Sequence, residues 1–461
     1  MQRTTDMTVG KPLSLILKFS FPLILTNLGQ QLYMIADGAI VGRGVGIKAL
    51  ASVGAADWIC WLILWTVIGL TQGFSVFVSK YFGEKSYARM NKCIAMCTEL
   101  SAVVGILLTV VGLLCTRPLL VLLETPSDIM RGAEVYLLTL LSGTLVVAAY
   151  NMSSSVLRAL GDGRSPLIAM VVAAAVNIGL DILFVIGFKW GIFGAAFASI
   201  LAQLCSFIYC LVRIGKINCI KFGRDIWKPD FAMLRELIVF GAPVSFQYIV
   251  ISLGGIILQS TINLQGSTYV AGFTAVNKLY GLLESTAISL GIAFSTFFAQ
   301  NFGAGNFGRV RKGLTTGVGL SVGFSLAVTV FVLVFGEALL GLFLDTTTAE
   351  GPYAMEVALK YLFMITVPLS VLYLLHLYKN ALQSLGIASW SVASGFGEFF
   401  VRVFMGKAIV TMLGTNVLYY IEPCAWLGGL VFVFVPYYAL RKRLLTCAKP
   451  YKTLAELETL R

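Results

Sequence analysis

The sequence predicts an all-α integral membrane protein with twelve transmembrane helices in two pseudo-symmetric six-helix lobes. Three observations predict it. Hydrophobic residues make up 58% of the 461 and charged residues only 12%, with a mean hydropathy of +0.87, so the chain has too little polar surface to coat a soluble globule. Apolar stretches of about 20 residues, enough as helix to cross a hydrocarbon core of about 30 Å, recur along its whole length. The second half also repeats the first at an offset of 220 residues. The alternating segments of about 10 residues that mark a membrane β-barrel are absent.

Hydropathy places spans at roughly 14–36, 50–78, 94–115, 134–158, 166–188, 192–213, 236–262, 269–298, 314–336, 356–380, 387–412 and 416–440. They leave no room for a soluble domain. Residues 1–213 form the first lobe, 214–235 a basic linker, 236–440 the second lobe and 441–461 a tail. Lys80, Lys85, Arg89 and Lys92 fall between spans on the same side as Arg158 and Arg164, the linker bases, Arg309, Arg311 and Lys312, and the Arg441 to Arg443 cluster. The opposite loops are poor in Lys and Arg, so the positive-inside rule puts both termini and the linker in the cytoplasm. No removable signal peptide is read in MQRTTDMTVGKPLS.

The repeat lays SKYFGEKSYARMNKCI (79–94) on AQNFGAGNFGRVRKGL (299–314), and pairs Gly46 with Gly266. Pro22 meets Pro243 within one residue, and VLRALG (156–161) meets ALQSLG (381–386) at an offset of 225. An offset kept over six spans means both halves enter the membrane in the same orientation, related by an axis along the membrane normal. That is a transporter plan, with a cleft between lobes.

Other function classes find little support. Nine scattered cysteines with no CxxC, and one histidine, give neither a disulfide framework nor a zinc site. The net charge of +12 is explained by topology, so nucleic acid is not an expected partner. GLSVG (319–323) matches a nucleophile pattern but lies in a Gly/Ser-rich membrane helix, and there is no Walker A loop for ATP. No enzyme activity and no bound cofactor are expected.

An ionised group at mid-bilayer costs about 3 kcal/mol on insertion scales, so each acid there needs a reason. In NIGLDILFVIGF (177–188), Asn177 and Asp181 are one turn apart on one helix face, with Ala173 and Ala174 suited to close packing. Asp37, late in the first span and after Pro22, can converge with them in a first-lobe pocket. Two carboxylates in one desolvated pocket do not both keep their charge unaided. Such a pair takes up a proton or, with an amide carbonyl and a hydroxyl from the sixth span, a hard cation such as Na⁺. The alternative is two structural Asp residues bonded to helix termini. In the second lobe, Glu284 has no cation nearby in sequence and is a candidate for the cavity wall. Glu398 and Arg402 read first as an i, i+4 ion pair. His376 reads as a packing histidine or a cavity residue, and Glu422 as interfacial.

FPLILTNLGQQLYMIADGAIVG, NIGLDILFVIGF, GAAFASILAQ, the doubled FG loops and FAQNFGAG together resemble the multidrug and toxic compound extrusion (MATE) family, in its DinF-like branch. The resemblance covers the whole chain. It implies an antiporter of two six-helix lobes that rock to expel organic, often cationic, compounds in exchange for Na⁺ or H⁺. It also implies a first-lobe cation site at Asp37, Asn177, Asp181 and Ser199, where Ser199 stands in place of the family's Thr, and a helix bend at Pro22. By the same resemblance Gln30, Tyr33 and Asn151 line the first-lobe cavity. Some members use a second-lobe acid on helix seven, where this chain has only Gln247; Gln247, Glu284, His376 and Arg402 are the cavity candidates of that lobe.

The expectation is thus a multidrug efflux antiporter of the bacterial inner membrane. Its partners would be small organic molecules and membrane lipid, its coupling ion Na⁺ or H⁺, and its state a monomer. A lipid-linked oligosaccharide flippase of related architecture is the alternative.

Overall fold

The computed structural model describes residues 4–446 except 124, 222, 345–346 and 348–349. Of the expected tail at 441–461, residues 447–461 lie outside the described residues. The chain runs α1 (Pro12–Gly44), α2 (Ile47–Gly83), α3 (Tyr87–Leu122), α4 (Ser127–Ser142), α5 (Thr144–Ala159), α6 (Arg164–Asp181) and α7 (Gly191–Gly215). After the linker come α8 (Phe231–Asn263), α9 (Ser267–Gly303), α10 (Phe307–Leu340), α11 (Gly351–Thr366) and α12 (Leu369–Ser384). The chain ends with α13 (Ser389–Phe404), α14 (Val410–Leu413) and α15 (Ile421–Thr446). Among the described residues no strand occurs.

Polarity is inverted relative to a soluble protein. Along α3 the buried side carries Ser101, Gly105, Gly112 and Thr116, whereas Val103, Leu107 and Leu114 face outward, Leu114 at 74% exposure. Small residues let the backbones of neighbouring helices approach: a methyl on Gly105 would meet Ala148, and one on Gly112 would meet Leu141 at 2.9 Å. Lipid is the medium that tolerates such an outer surface, because every helical backbone group is already paired internally.

Among the described residues nine helical runs are long and apolar enough to span, and eleven when two bent pairs each count as one. The twelfth expected span, 387–412, is α13 with the π-helical turn Met405–Ile409 and α14; α13 has only 16 residues and carries Glu398 and Arg402.

The repeat reappears as geometry. Gly46 and Gly266, 220 residues apart, precede α2 and α9 at φ +120° and +94°, a region open to glycine. The expected spans at 134–158 and 356–380 are each broken, by 47° at Gly143 and by 45° beside Pro368. These positions are 225 apart. At Gly143 a side chain would strike Ile200 at 2.5 Å, and at Pro368 the ring removes a backbone donor, so two chemistries make one bend.

The chain divides into two compact lobes. Among the described residues, the first holds 4–7 and Phe21–Ser245, and the second Thr8–Ser20 and 246–446. The division therefore falls inside α8, not in the linker. Ser245 Oγ donates to the Thr66 carbonyl at 2.9 Å and Gly241 lies against Phe74, which ties the start of α8 to the first lobe. The Arg309 guanidinium donates to the Gly10 carbonyl at 2.8 Å, holding the start of the chain's first helix in the second lobe.

Candidate cation site in the first lobe

Three helices of the first lobe each contribute an i, i+4 pair: Tyr33 and Asp37 from α1, Asn177 and Asp181 from α6, and Ser199 and Gln203 from α7. Close approach makes the convergence possible. At Gly29 on α1 the Met170 side chain of α6 comes so near that an added methyl would lie 2.4 Å from its end, and at Gly44 one would lie 2.9 Å from Val185. Asn177 and Asp181 are buried to 1% and 0% exposure. Asp181 is the last α-helical residue, and the π-helical turn Ile182–Gly187 begins directly after it. Such single wide turns recur at functional sites.

The carboxyl groups of Asp37 and Asp181 are neighbours, near enough for a shared proton to join them, and the Tyr33 hydroxyl lies beside both and meets the Gln203 amide. Asn177 Nδ2 donates to Ser199 Oγ at 3.4 Å, which turns the amide oxygen away from that contact. Asp37 Oδ1, Asn177 Oδ1 and both carboxylate oxygens of Asp181 have no hydrogen-bond donor. Four unanswered acceptors buried in one lobe, with no Lys, Arg or His nitrogen within 4.0 Å of the acids among the described residues, suit a proton or an oxygen-coordinated cation.

Asp37, Asn177, Asp181, Ser199 and Tyr33 are thus brought together. Gln30 shares the α1 face by helical spacing, whereas Asn151 on α5 spends its amide on the Val147 carbonyl at 2.9 Å. Pro22 lies inside an uninterrupted α1, where Thr26 Oγ1 donates to its carbonyl at 2.8 Å. Gln203 was not anticipated; its position four residues after Ser199 in GAAFASILAQ is the signal that marks it.

The second lobe is different. Position 406, the repeat partner of Asp181, is a glycine. Arg402, on the turn before, makes a two-pronged pair with Glu422, Nε to Oε1 at 3.0 Å and Nη2 to Oε2 at 2.8 Å, and contacts Glu398 Oε2 at 3.4 Å. Glu422 is therefore the principal partner of Arg402, and the expected Glu398 pair is the weaker one. Glu284 lies within electrostatic reach of this cluster and of Lys379, a cation that sequence reading passed over. His376 is one turn from Asn380 on α12, and Gln247 is buried against Gly395.

A sequence profile of the MatE family matches residues 22–183 and 243–406, the two repeats. The Bacillus subtilis protein named probable multidrug resistance protein YpnP is 31% identical over 369 residues, covering 78% of this chain and 81% of its own. This chain belongs to the MatE family. A second B. subtilis relative, probable multidrug resistance protein YoeA, is 28% identical over 351 residues, 74% of this chain and 75% of its own. The MatE fold accounts for the two lobes: a MOP superfamily transporter from Pyrococcus furiosus, described with a binding pocket of reverse polarity, superposes with a TM-score of 0.87 at 22% identity over 96% of this chain and 99% of its own. A structure of MATE in the bent conformation gives 0.85 at 21% identity, over 96% and 98%. Within this MatE chain the first profile segment contains Asp37, Asn177 and Asp181, and the second contains Arg402 with no acid at 406.

Proposed function

We propose that this MatE protein is a secondary active multidrug exporter that drives organic, often cationic, compounds outward in exchange for inward Na⁺ or H⁺. The observation that carries the reading is the set of four unpartnered acceptor oxygens on Asp37, Asn177 and Asp181, buried in a membrane lobe. A hard cation binds there by charge and oxygen coordination, and a proton by bridging the two carboxyls. Either neutralises the pocket. Loading from outside favours one packing of α1 around Pro22 and the other packing binds organic substrate, so ion and substrate exclude one another across alternating states. Asn177 and Ser199 set the oxygen geometry, and Tyr33 and Gln203 close the pocket. We place the protein in the DinF-like branch, in the bacterial inner membrane, as a monomer with both termini cytoplasmic. The flippase alternative asks for a cationic pocket to hold a pyrophosphate, which the acid pair of the first lobe opposes.

The test is reconstitution in liposomes with ethidium, imposing a pH gradient or a Na⁺ gradient separately. Ethidium movement driven by one of them, and lost in Asp37→Asn and Asp181→Asn at equal incorporation, is the expected result. Undiminished gradient-driven movement in both variants rules the site out.

A further inference from the structure

Asp181 stands at the edge of a wide turn. The α-helical bonding of α6 stops at it, and over Ile182–Gly187 the bonds reach one residue further: the Phe188 N–H donates to the Leu183 carbonyl, five residues back, at 2.8 Å. A turn that holds one extra residue changes the facing of the helix on its two sides by about 100° relative to an unbroken helix. The direction of the Asp181 side chain therefore depends on where the extra residue is kept. On the Arg164 side α6 is fixed, since the Ala169 carbonyl takes the Ser206 hydroxyl at 2.8 Å and Met170 lies against Gly29.

Beyond the turn the chain folds back on itself. Lys189 takes φ +58°, a left-handed conformation that is costly for a residue with a Cβ, and Gly191 takes +61°. The fold-back lays Trp190 on Phe184, ring centroids 4.9 Å apart and planes 23° from parallel, and the Trp190 N–H donates to the Phe184 carbonyl, six residues back, at 2.9 Å. Helix α7 closes the other side: a methyl on Gly194 would lie 3.0 Å from Phe184 Cβ, and the Phe197 ring stands 6.0 Å from that of Phe184. Phe184, three residues after Asp181, is buried by this clamp. The second lobe has the turn without the clamp. Its π-helical turn, Met405–Ile409, starts 223 residues after the first, within two of the offset that relates VLRALG to ALQSLG. That turn reads MGKAI, with no aromatic residue and with glycine at 406 in place of the acid. The wide turn thus belongs to the repeat, whereas the clamp accompanies the acid.

We propose that Phe184 and Trp190 are positioning residues of the first-lobe cation site: their stacked pair, closed by the Trp190 to Phe184 backbone bond, keeps the wide turn in the form that directs the Asp181 carboxyl toward Asp37. Neither ring touches the ion, and both act through the backbone of the turn. This deepens the exporter reading and rests on it for the ion. Exposed rings also anchor helices at a membrane interface, so the control is Phe193, which is 42% exposed and stacks on Phe197 at 5.7 Å but, among the described residues, makes no ring pair with Phe184.

The test uses the purified full-length chain in detergent. Melting temperature is followed as Na⁺ is raised at fixed pH and, separately, as pH is lowered without Na⁺, and the readout is the ion concentration at half-maximal stabilisation. Trp190→Ala and Gly194→Ala are expected to raise that midpoint by about tenfold, the scale of one aromatic contact. Trp190→Phe stays within about twofold of wild type, and Phe193→Ala leaves the midpoint unchanged. Hydrogen exchange in the peptide spanning 182–190 speeds up in Trp190→Ala and not in Phe193→Ala. A Trp190→Ala protein that melts lower but keeps the wild-type midpoint makes the clamp merely structural and overturns the proposal. So does an equal midpoint shift in Phe193→Ala, a shift with unchanged exchange, or a wild type that responds to neither ion. No gradient or drug is needed. Absence of ion-driven ethidium movement with these shifts intact therefore counts against the exporter reading alone, and ion-driven movement with an unmoved Trp190→Ala midpoint counts against the clamp alone.

Discussion

The Asn177 side-chain amide donates to the Ser199 hydroxyl at 3.4 Å, joining α6 to α7 one turn above Asp181. The bond fixes which end of the amide faces the acid pair. With Nδ2 on Ser199, Oδ1 is left as an acceptor with no donor of its own. Ser199→Ala frees the amide to rotate. Because a neutral hydrogen bond contributes about 1 kcal/mol, the ion concentration giving half-maximal efflux should rise by up to about tenfold, with Ser199→Thr close to wild type. A Ser199→Ala variant with unchanged ion dependence would show that Asn177 is oriented by something else.

Asp181 is the most exposed to a stability and function conflict. Both its carboxylate oxygens are buried without a donor, and unpartnered buried acceptors cost about 1–3 kcal/mol each, more when charged. Asp181→Asn removes the charge and keeps the shape. Thermal unfolding in detergent should therefore move up or stay level, while ion-driven efflux is lost. A fall in melting temperature would make Asp181 a structural residue instead.

Much of this was legible in the sequence, for identifiable reasons. The apolar runs and the 220-residue offset marked helices and lobes because lipid enforces both length and polarity. Gly46 with Gly266 was legible as a pair, and the structure shows why: both take positive φ before an equivalent helix. Asn177 and Asp181 stood out because acids are costly where they lie. The bends at Gly143 and Pro368 did not stand out, since glycine and proline are common inside membrane helices and nothing local tells a bend from a packing contact. The π-helical turn after Asp181 has no composition signal at all. The Glu422 pairing was not legible because its partner, Arg402, is 20 residues away and on another helix. Lys379 was not legible since a lone polar residue near a helix end is so often solvated, and Gln203, in the middle of α7, because a single uncharged amide carries little of the cost that marks an acid.

Gly272 tests the helix packing of the second lobe. A methyl there would lie 2.6 Å from the Ala354 carbonyl oxygen of α11, and a backbone atom cannot step aside as a side chain can. Gly272→Ala should destabilise by about 1–3 kcal/mol, the usual cost of overpacking. Gly255 on α8 has nothing within 4 Å, so Gly255→Ala should leave the melting temperature at or above that of wild type. Fluorescence-detected size-exclusion after heating compares the two. If they melt alike, α9 and α11 are not held at this distance by Gly272.

Arg402 carries the largest stability prediction, and its logic is asymmetric. The side chains of Arg402, Glu398 and Glu422 are only 6%, 6% and 13% exposed, so the charges were stripped of water to form the cluster. Attraction offsets that desolvation only while all the members are present. Arg402→Met strands two carboxylates in the membrane interior and should cost about 3–5 kcal/mol, seen as a lower melting temperature and poor yield. Removing the whole network, as Glu398→Gln with Arg402→Met and Glu422→Gln, takes away the stranded charge as well and should recover most of the loss. The comparison separates two roles. Recovery in the triple variant means the single substitution acts by uncompensated charge, whereas an equally low melting temperature means that the two-pronged Arg402–Glu422 bond itself holds α13 to α15.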